Sequence, residues 1–93
     1  MDLFIQHNET TREFFAIVEG KKSTLNYNRL QDGKTLDYYS TFVPEALRGH
    51  QIAAKIVKHA LEYAKKEQYK VIPTCHFVKS YIDRHPEYQS LIL

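Results

Sequence analysis

The chain has one cysteine, Cys75, so no intrachain disulfide can hold the fold together, and a reducing, cytoplasmic setting is the expectation. No apolar run approaches the roughly 20 residues that cross a bilayer. The start, Met1-Asp2-Leu3-Phe4-Ile5, lacks the basic end and long apolar segment of a secretory signal, and no membrane partner is expected. An excess of either charge sign is also missing. Thirteen Lys and Arg stand against eleven Asp and Glu, and lysines are adjacent only at Lys21-Lys22 and Lys65-Lys66. Without a basic patch, Tyr27, Tyr38 and Tyr39 are not expected to stack nucleic-acid bases, and no nucleic-acid partner is expected. The five histidines form no ligand pair with each other or with Cys75: His50 and His59 are nine apart, and His76 is adjacent to Cys75. No metal is expected. Repeats, low-complexity segments and linkers are absent, so residues 1–93 are read as one domain.

What is present is a sheet-forming first half. Leu3–His7 is a short apolar strand, and Asn8-Glu9-Thr10-Thr11 a polar turn. Arg12–Glu19 contains the unbroken run Phe14-Phe15-Ala16-Ile17-Val18, which predicts a strand covered on both faces. A turn at Glu19–Lys22 leads to Ser23–Leu30. There Leu25, Tyr27 and Arg29 alternate with Thr24, Asn26 and Asn28, as in a strand with one wetter face. Asp32-Gly33 is a hairpin signal. Thr35–Val43 is the fourth strand, ended by Pro44.

After Gly49 the period changes. Ile52, Ala53, Ile56, Val57, Ala60, Leu61 and Ala64 form one stripe on a helix running to Lys66 or Glu67. Tyr69–Thr74 is a short strand, and the right-handed crossover rule sets it parallel to Thr35–Val43. Cys75–Arg84 is a second helix with Val78, Tyr81 and Ile82 inward. His85-Pro86-Glu87-Tyr88 stops it before the apolar tail Leu91–Leu93. The order β-β-β-β-α-β-α predicts an α+β fold with a mixed sheet.

The junction Pro44–Ala53 leaves a strand and opens the long helix. Free N–H groups and the positive helix end favour an anion there, and Arg48 adds a guanidinium suited to phosphate oxygens. Arg48-Gly49-His50-Gln51-Ile52-Ala53 resembles the pyrophosphate motif of the GNAT acyltransferases, Arg/Gln-x-x-Gly-x-Gly/Ala, with Gln51 standing where the family has its middle glycine. Val43-Pro44-Glu45 with Arg48-Gly49, Ile72-Pro73-Thr74-Cys75 and His85-Pro86-Glu87-Tyr88 resemble a reduced, single-domain GNAT-like subfamily. That subfamily lacks the two helices usually found after the first strand.

The resemblance implies a reduced GNAT-like fold that binds coenzyme A as acetyl-CoA and transfers acetyl to an amine, with a protein or peptide amine among the candidates. The pantetheine arm would lie in a V between Ser40–Val43 and Val71–Thr74, using backbone at Thr41 and Val43. The pyrophosphate would sit on the N–H groups of Arg48, Gly49, His50, Gln51, Ile52 and Ala53. Tyr81 aligns with the tyrosine that protonates the departing CoA thiolate, and reads equally as a core aromatic. Cys75, at a helix start, reads as an acyl carrier, as a thiol lining the acetyl site, or as a small buried residue. His76 could lower the Cys75 pKa or act as a base. Phe42 stands where relatives carry a polar or acidic group, which leaves Glu45 or His76 as substitute bases. The alternative is a non-catalytic CoA-binding or protein-interaction module on this fold. Open sheet edges fit a monomer or a weak homodimer.

Overall fold

The structure, a computed structural model, describes residues 2–93. Five strands lie side by side in sequence order: β1 (Gln6–Asn8), β2 (Glu13–Val18), β3 (Lys21–Arg29), β4 (Thr35–Phe42) and β5 (Lys70–Ile72). The first four pair antiparallel, and β5 joins β4 in parallel. Two helices follow from the change of period, α1 (Ile52–Glu67) between β4 and β5 and α2 (His76–Arg84) after β5.

Local chemistry sets each turn. The Asn8 side chain accepts the amides of Thr10 and Thr11, which fixes where β1 ends. Strand β1 therefore spans Gln6–Asn8 rather than the expected Leu3–His7, and His7 faces Phe14 in register. Between β2 and β3, Glu19 and Gly20 both take positive φ, 51° and 74°, the geometry that matches strand twist in a two-residue hairpin. Between β3 and β4, the Asp32 carboxylate accepts the amides of Lys34 and Thr35 and the Thr35 hydroxyl.

Both helices pack on one face of the sheet. That face buries Phe14, Ala16, Leu25, Tyr27, Leu36 and Tyr38 against Ile52, Ile56, Val57, Ala60, Leu61 and Ala64 of α1 and Val78, Tyr81 and Ile82 of α2. The Tyr38 hydroxyl donates to the Ala60 carbonyl at 2.7 Å and ties the layers together. The other face is bare: Ile17 is 56% exposed and Phe42 54%. The Phe14–Val18 run is thus covered on one side only, which corrects the expectation of two covered faces. An apolar run records burial tolerance, while the side that is covered depends on where the helices lie.

Two departures from regular pairing shape the sheet beside α1. Tyr27 faces Tyr38, but Asn26 faces Ser40, so Tyr39 is an extra residue and β4 bulges there. The parallel pairing with β5 stops at Asp37–Ile72, because Pro73 has no N–H to continue the ladder. A final bond, from the Cys75 amide to the Tyr38 carbonyl at 3.0 Å, closes the apex of a V. Beyond it the strands part, as the expected splaying of Ser40–Val43 from Val71–Thr74 required.

Candidate functional site

The open side of the V leads into a cavity of about 390 Å³. Its walls come from three elements that the β4–α1 junction brings together. Thr41 and Phe42 end β4, Val43, Leu47, Arg48 and Gly49 belong to the loop, and Gln51, just before α1, leads into Ile52, Ala53 and Ala54 of its first turn. Phe77, in the first turn of α2, completes it. Seven of the eight expected cofactor-binding residues line this one cavity. The eighth, His50, is exposed and does not. Phe42, Leu47, Ala54 and Phe77 were not foreseen. Phe77 follows Cys75 by two residues at a helix start, a position the sequence offered, whereas the part played by Leu47 depends on the path of the loop.

The loop presents donors. A short 3-10 turn, Glu45–Leu47, buries Leu47 as an apolar plug and leaves Arg48 at the surface. Arg48 Nε donates to the Val43 carbonyl at 3.2 Å, which fixes the guanidinium at the strand end and leaves its other nitrogens available. It also engages the backbone of Val43, which with that of Thr41 was expected to serve a pantetheine arm. The first α1 bond runs from the Lys55 amide to the Gln51 carbonyl, so the amides of Ile52, Ala53 and Ala54 precede the helical ladder. No side chain caps them, and no carboxylate stands in the first turn. Gly49 takes φ 88°, with open space where a Cβ would stand. Gln51 takes φ 60°, a left-handed conformation that glycine adopts at no steric cost. This donor set suits a diphosphate, and the largely apolar wall beyond it suits an uncharged arm.

Cys75 is the residue immediately before α2, half-buried, with φ −69° and ψ 127°. Its Sγ lies 3.6 Å from the Thr41 hydroxyl. Burial pushes the thiol pKa up. The Thr41 hydroxyl, together with the amides of Val78, Phe77 and Thr41, outweighs burial and holds the pKa below the ordinary thiol range.

Cys75 itself is not part of the cavity lining and meets its wall through Thr41; the other two expected catalytic groups lack even that contact among the described residues. His76 is exposed and makes no hydrogen bond to Cys75 among the described residues, because successive helical residues diverge by about 100°. Tyr81 is buried on the inner face of α2, its ring stacked on His85 at 4.0 Å and tilted against Tyr88 at 6.2 Å, outside the cavity lining. Burial, then the Glu87 and Glu62 carboxylates, push its pKa up. Glu45 is exposed on the loop, and Phe42 lies on the cavity wall. His7 bonds the Tyr27 hydroxyl at 2.6 Å and stacks on Phe14. His59 meets the Phe14 ring edge-on. Among the described residues no group of three His, Cys, Asp or Glu could hold a metal ion, and no helix is long and apolar enough to cross a membrane.

A mixed five-stranded sheet with a bulged fourth strand and a parallel pair splaying over a helix N-terminus defines the GCN5-like N-acetyltransferase fold. The solution structure of a GCN5-like putative N-acetyltransferase from Staphylococcus aureus superposes with a TM-score of 0.74 over 98% of this chain and 88% of that one, at 24% identity. The profile of the GCN5-related N-acetyl-transferase family matches residues 13–91, and the chain belongs to that family. Protein NATD1 of Danio rerio is 33% identical over 95 residues, covering 98% of this chain and 86% of its own length. Protein NATD1 of Homo sapiens is 31% identical over 85 residues, with 88% and 74% covered.

Proposed function

We propose that the protein binds acetyl-CoA in the cavity beside β4 and α1 and transfers the acetyl group to an amine through Cys75. The observation that carries this reading is the adjacency of two features: an amide-lined and guanidinium-lined cavity, and a thiol polarised by Thr41 and the start of α2. The amides of Ile52, Ala53 and Ala54, with Arg48, would hold the diphosphate. The apolar wall of Phe42, Val43, Leu47 and Phe77 would take the pantetheine arm. Acetyl-CoA supplies an activated thioester.

Cys75 Sγ attacks the thioester carbonyl, the bond to the coenzyme sulfur breaks, the thiol proton passes to that sulfur, and Cys75 carries the acetyl group. An amine then attacks acetyl-Cys75, the carbon–sulfur bond breaks, and the amine's surplus proton passes to the departing Cys75 sulfur, which restores the thiol. With no helices on the bare sheet face, the acceptor side is open, which favours a protein or peptide amine.

Calorimetric titration with acetyl-CoA, followed by intact mass measurement, tests this. Saturable binding that weakens about tenfold or more in Arg48→Ala, with a 42-dalton adduct on Cys75, is the expected result. Absence of binding at millimolar coenzyme would overturn the reading.

A second reading has its own support. Gln51 lines the cradle with a side chain where glycine would have none, and none of Cys75, His76 and Tyr81 lines the cavity. A CoA-binding module without turnover would bind the coenzyme yet show no adduct and no acetyl transfer.

A further inference from the structure

Tyr81 lies away from the cavity, so acetyl exchange between two sulfurs needs another proton carrier. We infer that the Thr41 side-chain hydroxyl is the proton relay of the Cys75 site, taking the thiol proton as Sγ attacks and passing its own to the departing sulfur. This rests on the transfer reading above and adds a side-chain role to a residue first read for its backbone alone.

Three observations carry it. Thr41 Oγ1 stands 3.6 Å from Cys75 Sγ although the residues are 34 apart in sequence. It is the side chain that hydrogen-bonds the thiol among the described residues. Thr41 also lines the cavity, whereas Cys75 does not, so this residue links the thiol to the space a thioester would occupy. A hydroxyl accepts on one lone pair while donating its own proton, which is what a relay between two sulfurs requires.

The exchange balances without another reactant. The Cys75 S–H bond breaks, its proton moves to Thr41 Oγ1, and the Thr41 proton moves to the coenzyme sulfur. The acetyl carbon gains a bond to Sγ and loses its bond to that sulfur. Products are acetyl-Cys75 and the free coenzyme thiol, with Thr41 restored. The same hydroxyl can donate to Sγ whenever Cys75 is ionised.

The test compares wild type, Thr41→Val and Thr41→Ser. Valine keeps the shape and removes the hydroxyl; serine keeps the hydroxyl and removes the methyl. The first readout is the pH profile of Cys75 alkylation by iodoacetamide in protein without coenzyme. It should move to higher pH in Thr41→Val and return toward wild type in Thr41→Ser. The second is the rate of acetyl-Cys75 formation at saturating acetyl-CoA, which should fall about tenfold or more with valine and recover with serine.

Valine acylating as fast as wild type, or serine as slow as valine, would sink the relay while leaving transfer through Cys75 intact. A wild type that binds acetyl-CoA but forms no adduct would overturn both.

Discussion

Gln51 is where this chain departs most from the coenzyme chemistry proposed for its loop. Its φ of 60° places a Cβ in a left-handed conformation at the head of α1, and its side chain makes no capping bond in return. Glycine would relieve that conformation at the cost of a more flexible unfolded chain. Gln51→Gly is therefore expected to be neutral to stabilising, by up to about 1 kcal/mol, in chemical denaturation. It should also tighten acetyl-CoA in calorimetry by removing a side chain from the cradle. Weaker binding in the glycine variant would show instead that Gln51 contacts the coenzyme. Tyr81 makes the opposite case, a residue whose family role its surroundings do not support. Its ring stacks on His85 inside the core. Tyr81→Phe should leave acetyl transfer within about threefold of wild type, since losing a true general acid costs roughly 10²–10⁴. Tyr81→Ala should unfold more easily by about 3 kcal/mol, as expected for removing a buried aromatic. A hundredfold loss of transfer in the phenylalanine variant would return Tyr81 to the reaction.

At the scale of elements, legibility followed the range of the interaction. Helix α1 was readable because its stripe from Ile52 to Ala64 is a local pattern, and its observed end at Glu67 falls where the stripe runs out. The parallel placement of β5 followed from the handedness of a β-α-β crossover, and the opening of the V from Pro73. The Tyr39 bulge was not readable, since an extra residue shows only against the register of β3. Nor was the Thr41–Cys75 contact, which depends on the bulge and on the last bond to the Tyr38 carbonyl. The sequence thus pointed to seven residues of the cavity wall but missed Phe42, Leu47, Ala54 and Phe77, and it could not say which side chain would meet the thiol. The helix end carries its own expectation. Gln68 caps α1 at φ 63°, with its amide turned back to the carbonyls of Ala64 and Lys65. This is the position where glycine commonly ends a helix. Gln68→Gly should raise stability by about 0.5–1 kcal/mol, a rise of roughly 2–8 °C in Tm for a domain of this size. An unchanged or lower Tm would mean that the glutamine side chain offsets its own backbone strain.

At the scale of the whole molecule, the two-layer build puts the connection between sheet and helix under the control of a few polar groups. His7 is the group that spans both layers. From β1 it bonds the Tyr27 hydroxyl of β3, stacks on Phe14 of β2, and meets the Tyr63 ring of α1 edge-on at 4.6 Å. Tyr63 in turn donates to Glu9 at 3.2 Å. Burial lowers the His7 pKa, with Glu9 opposing and His59 adding to the shift, and burial lowers that of His59. The unfolded chain, with histidines near pKa 6.5, therefore binds protons more readily than the folded one as pH falls. Stability from these groups is fully present above about pH 6.5 and is lost as the pH drops through their folded values. Denaturant midpoints should accordingly fall between pH 7.5 and 5.5, and the slope should shrink in His7→Gln, which has no charge to gain. A slope equal in variant and wild type would assign the acid sensitivity to other groups. Because His7 and Thr41 lie in the same cross-strand row of the sheet, through Phe14 and Leu25, loosening this corner reaches β4 through its register. Coenzyme binding should therefore weaken over the same pH range in wild type and hold steadier in His7→Gln, measured by calorimetry at each pH.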